Sequence, residues 1–184
     1  MFALLEELNF KPLSEQDARK IVKQIMNAVI YCHSKNVVHF DIKLDNIMIN
    51  KSTHKATLID FGLSDFIDPE KGDVFNRRCG SEEYCPPELL VPIRGNDPAV
   101  PFSGKKTDVW CLGIVLYALL TAMFPFDRTT RKQVALGMRK HPTAPFKTEI
   151  PPLAQDLLSK MLCPDASQRI SMEEMANHPW MTAN

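Results

Sequence analysis

The stretch Val109–Phe126, VWCLGIVLYALLTAMFPF, carries no charged residue. A helix apolar on every face has two homes, a bilayer or the middle of a core. A membrane anchor is the first reading. Against it, Gly113 and Thr121 interrupt the run, Pro125 sits near its end and Asp108 stands at its start as a cap. The expectation is therefore a helix buried on all sides, with the rest of the chain wrapped around it.

A chain of 184 residues suffices for one such domain and is short for two. Apolar residues make up 45% and charged residues 24%, the profile of a soluble globular protein. Lys+Arg and Asp+Glu both number 22, so the overall field favours neither nucleic acid nor an anionic membrane as partner. Five cysteines, Cys32, Cys79, Cys85, Cys111 and Cys163, show no C-x-x-C spacing and follow no signal-peptide pattern, which fits reduced thiols in the cytoplasm or nucleus. Cys79 and Cys85 lie in an expected loop, where a redox role is the alternative to inert thiols. The five histidines have no zinc-ligand spacing.

Ser14 with Asp17 has the form of a capping box, and Ala18, Ile21, Val22, Ile25, Val29 and Cys32 then recur at helical spacing up to a left-handed stop at Asn36. NIMIN and KATLID, separated by KSTH, read as a β-hairpin. Leu63 to Arg78 and Pro92 to Lys106 read as loops. Helices are expected over Thr130 to Arg139, over Pro152 to Met161 and after Ser171, which Glu174 completes as a capping box.

The hairpin is flanked by chemistry. HFDIKLDN leads into it and DFG leaves it, so Asp41, Lys43, Asn46 and Asp60 are expected on one edge of the domain. A carboxylate and an amide oxygen can share Mg²⁺ while a second carboxylate handles a proton and a lysine neutralises phosphate. Phosphoryl transfer asks for that set, because the protein's task there is positioning and charge compensation.

HFDIKLDN, DFG, PPE, DVWCLG, SQRI and HPW occur in the order and near the spacings of the eukaryotic protein kinases, and the chain resembles that family from end to end. RRCGSEEYCPPE and DFGLSDF are most similar to the calmodulin-dependent and AMP-activated group. The resemblance implies a mainly α (α+β) fold, the helical C-terminal lobe with a small β-hairpin at the catalytic loop. It places the catalytic loop at residues 39–46 and the activation segment at 60–88 within a lobe of residues 1–184. It implies ATP and Mg²⁺ as cofactors and a protein substrate.

Position by position, Asp41 matches the base that accepts the substrate hydroxyl's proton, and Lys43 the lysine that meets the γ-phosphate in serine/threonine kinases. Asn46 and Asp60 match the Mg²⁺ ligands, Met48 the floor beneath adenine, and Ser81 the docking-loop residue that touches the catalytic aspartate and lysine. His39 matches the histidine beside the DFG phenylalanine, Phe61, and Gly62 completes that motif. Asp108 matches the residue anchoring the catalytic-loop backbone, and Glu88 with Arg169 the ion pair that closes the lobe.

Three departures qualify the match. Phe40 replaces the family's arginine that receives an activation-loop phosphate, and Arg77 stands where related kinases carry the phosphoacceptor threonine, so that switch is expected not to operate. Pro86 and Leu44 replace an alanine and a proline without changing charge. MFALLEEL matches the helix just past the hinge, so the N-terminal β lobe is expected to be absent, with its glycine-rich loop and phosphate-binding lysine. A missing-lobe partner, or self-association through the face that lobe covers, follows. Three readings stand: a serine/threonine kinase catalytic lobe, as a fragment of a longer active enzyme or a truncated gene model; a non-catalytic pseudokinase-like scaffold; and a Mg²⁺-dependent hydrolase on the same carboxylates.

Overall fold

The computed structural model describes residue 6 and residues 11–50, 52–77, 80–90, 101–126 and 150–183. The helices expected over residues 1–8, apart from Glu6, and over Thr130 to Arg139 lie outside the described residues, as do most of the loop after Pro92 and Cys79.

Helix α1, Glu15–Ser34, starts where the sequence places it: Ser14 Oγ accepts from the Asp17 amide at 3.1 Å and donates to the Asp17 carboxylate at 2.7 Å. Its buried stripe holds Ala18, Ile21, Val22, Ile25 and Val29 as expected, joined by Met26 and His33. Cys32 is only half-buried and borders the stripe rather than belonging to it. Asn36 ends the helix at φ 57°, a backbone that an asparagine adopts at low cost.

Two short antiparallel pairs follow. In the expected hairpin, β2, Ile47–Asn50, pairs with β3, Lys55–Leu58, with Ile47 opposite Leu58 and Asn50 opposite Lys55. Asn50 Oδ1 closes the turn by accepting from the Ser52 and Thr53 amides, each at 3.0 Å. The second pair lies partly in a stretch read as loop: β1, Val37–Val38, pairs with β4, Asp65–Phe66. Strands of two residues have no alternation to detect, so only the tertiary contact reveals them.

After the four-residue helix α2, Pro87–Leu90, comes α3, Gly104–Thr121, which holds most of the uncharged run and is buried continuously from Thr107 to Thr121. No helix among the described residues is long and apolar enough to cross a membrane. Two details of the sequence reading change. The cap is Ser103, whose Oγ accepts from the Lys106 amide at 3.1 Å, while Asp108 sits inside the helix with its carboxylate turned to the loop beyond α1. Gly113 does not interrupt the helix: a Cβ there would lie 2.9 Å from Leu162 Cδ2 and 3.1 Å from Met161 Cβ, so the glycine permits close approach of the next helix.

That helix, α4, spans Pro152–Met161 as expected, and α5, Met172–Ala176, carries the Ser171–Glu174 capping box with both reciprocal bonds formed. A last turn, α6, Pro179–Thr182, buries Trp180. The Trp180 indole donates to Glu15 Oε1 at 2.8 Å and the Arg19 guanidinium lies 5.1 Å over its ring, so the last helix returns to the first turn of α1.

Candidate active site

The loop between β1 and β2 is built on one buried carboxylate. Asp108 Oδ1 accepts from the Phe40 amide at 2.9 Å, and Oδ2 accepts from the His39 amide at 3.0 Å and meets His33 Nε2 at 2.8 Å. Held so, Phe40 takes φ 65° and its ring enters the core, and the chain reverses to present Asp41.

The Asp41 carboxylate has four donors. Oδ1 accepts from Ser81 N at 3.2 Å and Ser81 Oγ at 2.9 Å; Oδ2 accepts from Lys43 Nζ at 2.7 Å and Asn46 Nδ2 at 2.9 Å. Lys43 Nζ also donates to Ser81 Oγ at 2.9 Å, closing a ring of three side chains. Burial pushes the carboxyl pKa up, but the hydrogen bonds from Lys43 and Ser81 and the Lys43 charge outweigh it, so the group lies below the ordinary aspartate value and is ionised at neutral pH.

Asn46 Nδ2 also donates to the Asp41 carbonyl at 2.9 Å, which fixes the amide flip and turns its oxygen away from Asp41. The hairpin ladder continues past β3: Ile59 N donates to the Asn46 carbonyl at 2.9 Å, which sets Asp60 one residue beyond that contact. Asp60 is exposed, at φ 64°, and accepts from Gly62 N at 3.1 Å. A Cβ on Gly62 would sit 3.0 Å from that same carboxylate oxygen, so the turn favours glycine.

His39 braces this turn from below. Its Nδ1 accepts from Asp41 N at 3.2 Å, which assigns the proton to Nε2 and makes Nε2 the donor to the Ile59 carbonyl at 3.2 Å. Phe61 meets the His39 ring edge-on at 4.7 Å. Met48, on β2, is 58% exposed. Asp41, Lys43, Asn46 and Ser81 are thus in direct contact, Asp60 joins them through the hairpin backbone, and Asp108 lies beneath.

Glu88 and Arg169 stand apart as a brace. The guanidinium donates to both Glu88 oxygens at 2.8 and 3.0 Å, to the Cys163 carbonyl at 3.0 Å and to the Lys106 carbonyl at 2.9 Å, and lies 4.9 Å over Trp110.

Among the described residues no three His, Cys, Asp or Glu side chains converge tightly enough to hold a metal alone. An amide oxygen and one carboxylate instead suit Mg²⁺, a hard cation that keeps water and takes further oxygens from phosphate. Asn46 and Asp60 fit that ion.

Sequence reasoning passed over two residues. His33 lies on the apolar stripe of α1, four residues after Val29, and a histidine there needs a buried partner; Asp108 is that partner. Asp73 accepts from Gly104 N at 2.9 Å and Lys105 N at 3.2 Å, a second cap on α3 supplied from a distant segment. No local pattern announces it.

Comparison with known proteins agrees with this geometry. The family model described as the protein kinase domain matches residues 1–181. Mouse testis-specific serine/threonine-protein kinase 3 is 35% identical over 176 residues, covering 96% of this chain and 62% of that protein. Protein kinase kin1 of Schizosaccharomyces pombe is 38% identical over 172 residues, 94% of this chain and 18% of that protein. Mouse sperm motility kinase 3A is 36% identical over 174 residues, 92% of this chain and 32% of that protein. The chain therefore spans less than two thirds of the length of these relatives. With that match along its length and serine/threonine kinases as its relatives, the chain belongs to the protein kinase family.

Proposed function

We propose that this chain is the catalytic lobe of an ATP-dependent protein serine/threonine kinase, with residues 39–46 as catalytic loop and 60–88 as activation segment. The observation that carries the proposal is the Asp41 carboxylate held by Lys43, Asn46 and Ser81 while the Asn46 amide oxygen is left for a cation.

In this reading the substrate serine or threonine hydroxyl approaches Asp41 Oδ1, which now accepts from Ser81. Its oxygen bonds the γ-phosphorus, the bond from that phosphorus to the β-bridging oxygen breaks, and the hydroxyl proton passes to Asp41. Lys43 faces the charge that develops on the transferred group, and Ser81 aligns the substrate backbone beside it. Asn46 and Asp60 would hold Mg²⁺, which would neutralise charge on the phosphate oxygens. Met48, exposed on β2, would lie beneath adenine. Asp41 is kept ionised by its donors, so the base is ready at neutral pH.

The test is transfer of labelled γ-phosphate from ATP to a basic protein substrate. Asp41→Asn should lower transfer about 10²- to 10⁴-fold, and Asp60→Ala should abolish it. A chain that binds substrate yet transfers no more than Asp41→Asn is a scaffold. One that releases phosphate from simple esters, and loses this with Asp60→Ala, is a hydrolase.

A further inference from the structure

The segment after DFG is fastened to the catalytic loop by side chains of its own. Arg77 makes three contacts at once: Nε to Asp65 Oδ2 at 3.2 Å, Nη2 to the Leu63 carbonyl at 2.9 Å, and its guanidinium 5.5 Å over the Phe40 ring. One planar cation therefore joins the segment after DFG, the catalytic loop and its own stretch of chain.

Its surroundings extend the fastening. Phe75 exchanges backbone hydrogen bonds with Phe102 at 2.9 Å each way and meets Phe40 edge-on at 4.8 Å. Asp73 caps α3. Gly104 gives these rings room, since a Cβ there would come within 2.9 Å of Phe40 Cζ and 2.7 Å of Phe75 Cε2. Downstream, Gly80 lies at φ 90° with its Cβ position 2.7 Å from the Phe40 carbonyl, and Ser81 follows on Asp41. Residues 77 and 80–81 thus both meet residues 40–41.

We propose that Arg77 is a positioning residue for phosphoryl transfer: a fixed cation that ties its segment to Asp65, Leu63 and Phe40 and so keeps Ser81 seated on Asp41 without any attached phosphate. The inference rests on the kinase reading of Asp41 and Ser81. It assigns the loop a lock of opposite sign to a phosphate, with the cation on the segment and the anion at its base. An ion pair exposed to 43% and 44% is weak alone; the carbonyl bond and the aromatic face give this one a single geometry.

The experiment measures amide exchange at Gly80 and Ser81, alongside phosphate transfer, in chain shown by mass spectrometry to carry no phosphate. Arg77→Gln should speed exchange at Ser81 roughly tenfold while the amides of α1 and α3 keep their protection, and should lower kcat more than it raises KM for peptide. Arg77→Lys should restore part of both, since charge returns without the planar fork. The double exchange of Asp65→Arg with Arg77→Asp should recover more than either single change. Raising salt from about 0.05 to about 0.5 M should loosen Ser81 in the parent chain and not in Arg77→Gln. If Arg77→Gln lowers global stability, Asp65→Asn, which leaves the other two contacts, is read in its place. Unchanged Ser81 exchange in these variants, or exchange rising uniformly across the chain, overturns the proposal. If Ser81 loosens as expected while the parent chain transfers no phosphate, the tether stands and the catalytic reading falls.

Discussion

Replacing Asp108 tests whether one carboxylate sets the catalytic loop. It is fully buried, and Asp108→Ala would strand two backbone N–H groups, of His39 and Phe40, together with the His33 imidazole. A buried donor left without a partner costs about 1–3 kcal/mol. The charge that is removed no longer bears its own desolvation, which offsets part of this. The expected cost is about 4 kcal/mol, a large share of a typical domain's stability of about 5–15 kcal/mol. Asp108→Asn keeps the shape, and its amide oxygen at the Oδ2 position still serves His33 and His39. Only the Phe40 amide then faces an N–H₂ group, so the cost falls to about 2 kcal/mol. Equilibrium urea unfolding followed by fluorescence of buried Trp110 and Trp180 measures both, provided the slope is unchanged between variants. An alanine variant within about 1 kcal/mol of the parent, or equal costs for alanine and asparagine, would refute the view that three donors depend on this group.

Three further outcomes follow from the same coordinates. Glu88→Ala leaves the Arg169 guanidinium, 1% exposed, without its counter-charge and should cost about 3–5 kcal/mol in the same unfolding assay, whereas Arg169→Met with Glu88→Leu together should cost far less. Gly113→Ala should destabilise by about 1–3 kcal/mol although alanine is the better helix former, because its methyl meets Leu162 and Met161; a stabilised variant would show that α4 can yield. Asp41 has its folded pKa below its unfolded one, so its contribution is complete above the unfolded value of about 3.9 and is lost as pH falls through the folded value. The parent chain should therefore lose more stability on acidification below about pH 5 than Asp41→Asn, and parallel curves would contradict the shift.

Where the signal was local, the sequence was sufficient. Ser14 and Ser171 announce helix starts through their own side chains, the 3.6-residue stripe of α1 names its buried face, and α4 ends on the residues expected. The absence of charge from Val109 to Thr121 translates directly into burial. What stayed hidden depends on partners far along the chain. Asp108 looks like a cap by position, and only the family resemblance pointed to the catalytic-loop backbone, where its bonds run to residues 68 and 69 positions earlier. Gly113 looks like a break until Leu162 is placed against it. The pairing of β1 with β4 has no periodicity to betray it. In the candidate site the residue types were legible, while the contact of Ser81 with Asp41 and Lys43 was expected through the family resemblance alone, since no local pattern brings position 81 back to position 41.

The junction of Trp180 with Glu15 has a consequence for synthesis. These residues are 165 positions apart. A ribosome adding about 5–20 residues per second needs on the order of ten seconds or more to make the second after the first. An isolated helix relaxes in about a microsecond, so α1 can form and melt many times before the indole arrives to cover its first turn. The first turn of α1 must therefore wait, open to chaperones, for the indole that covers it.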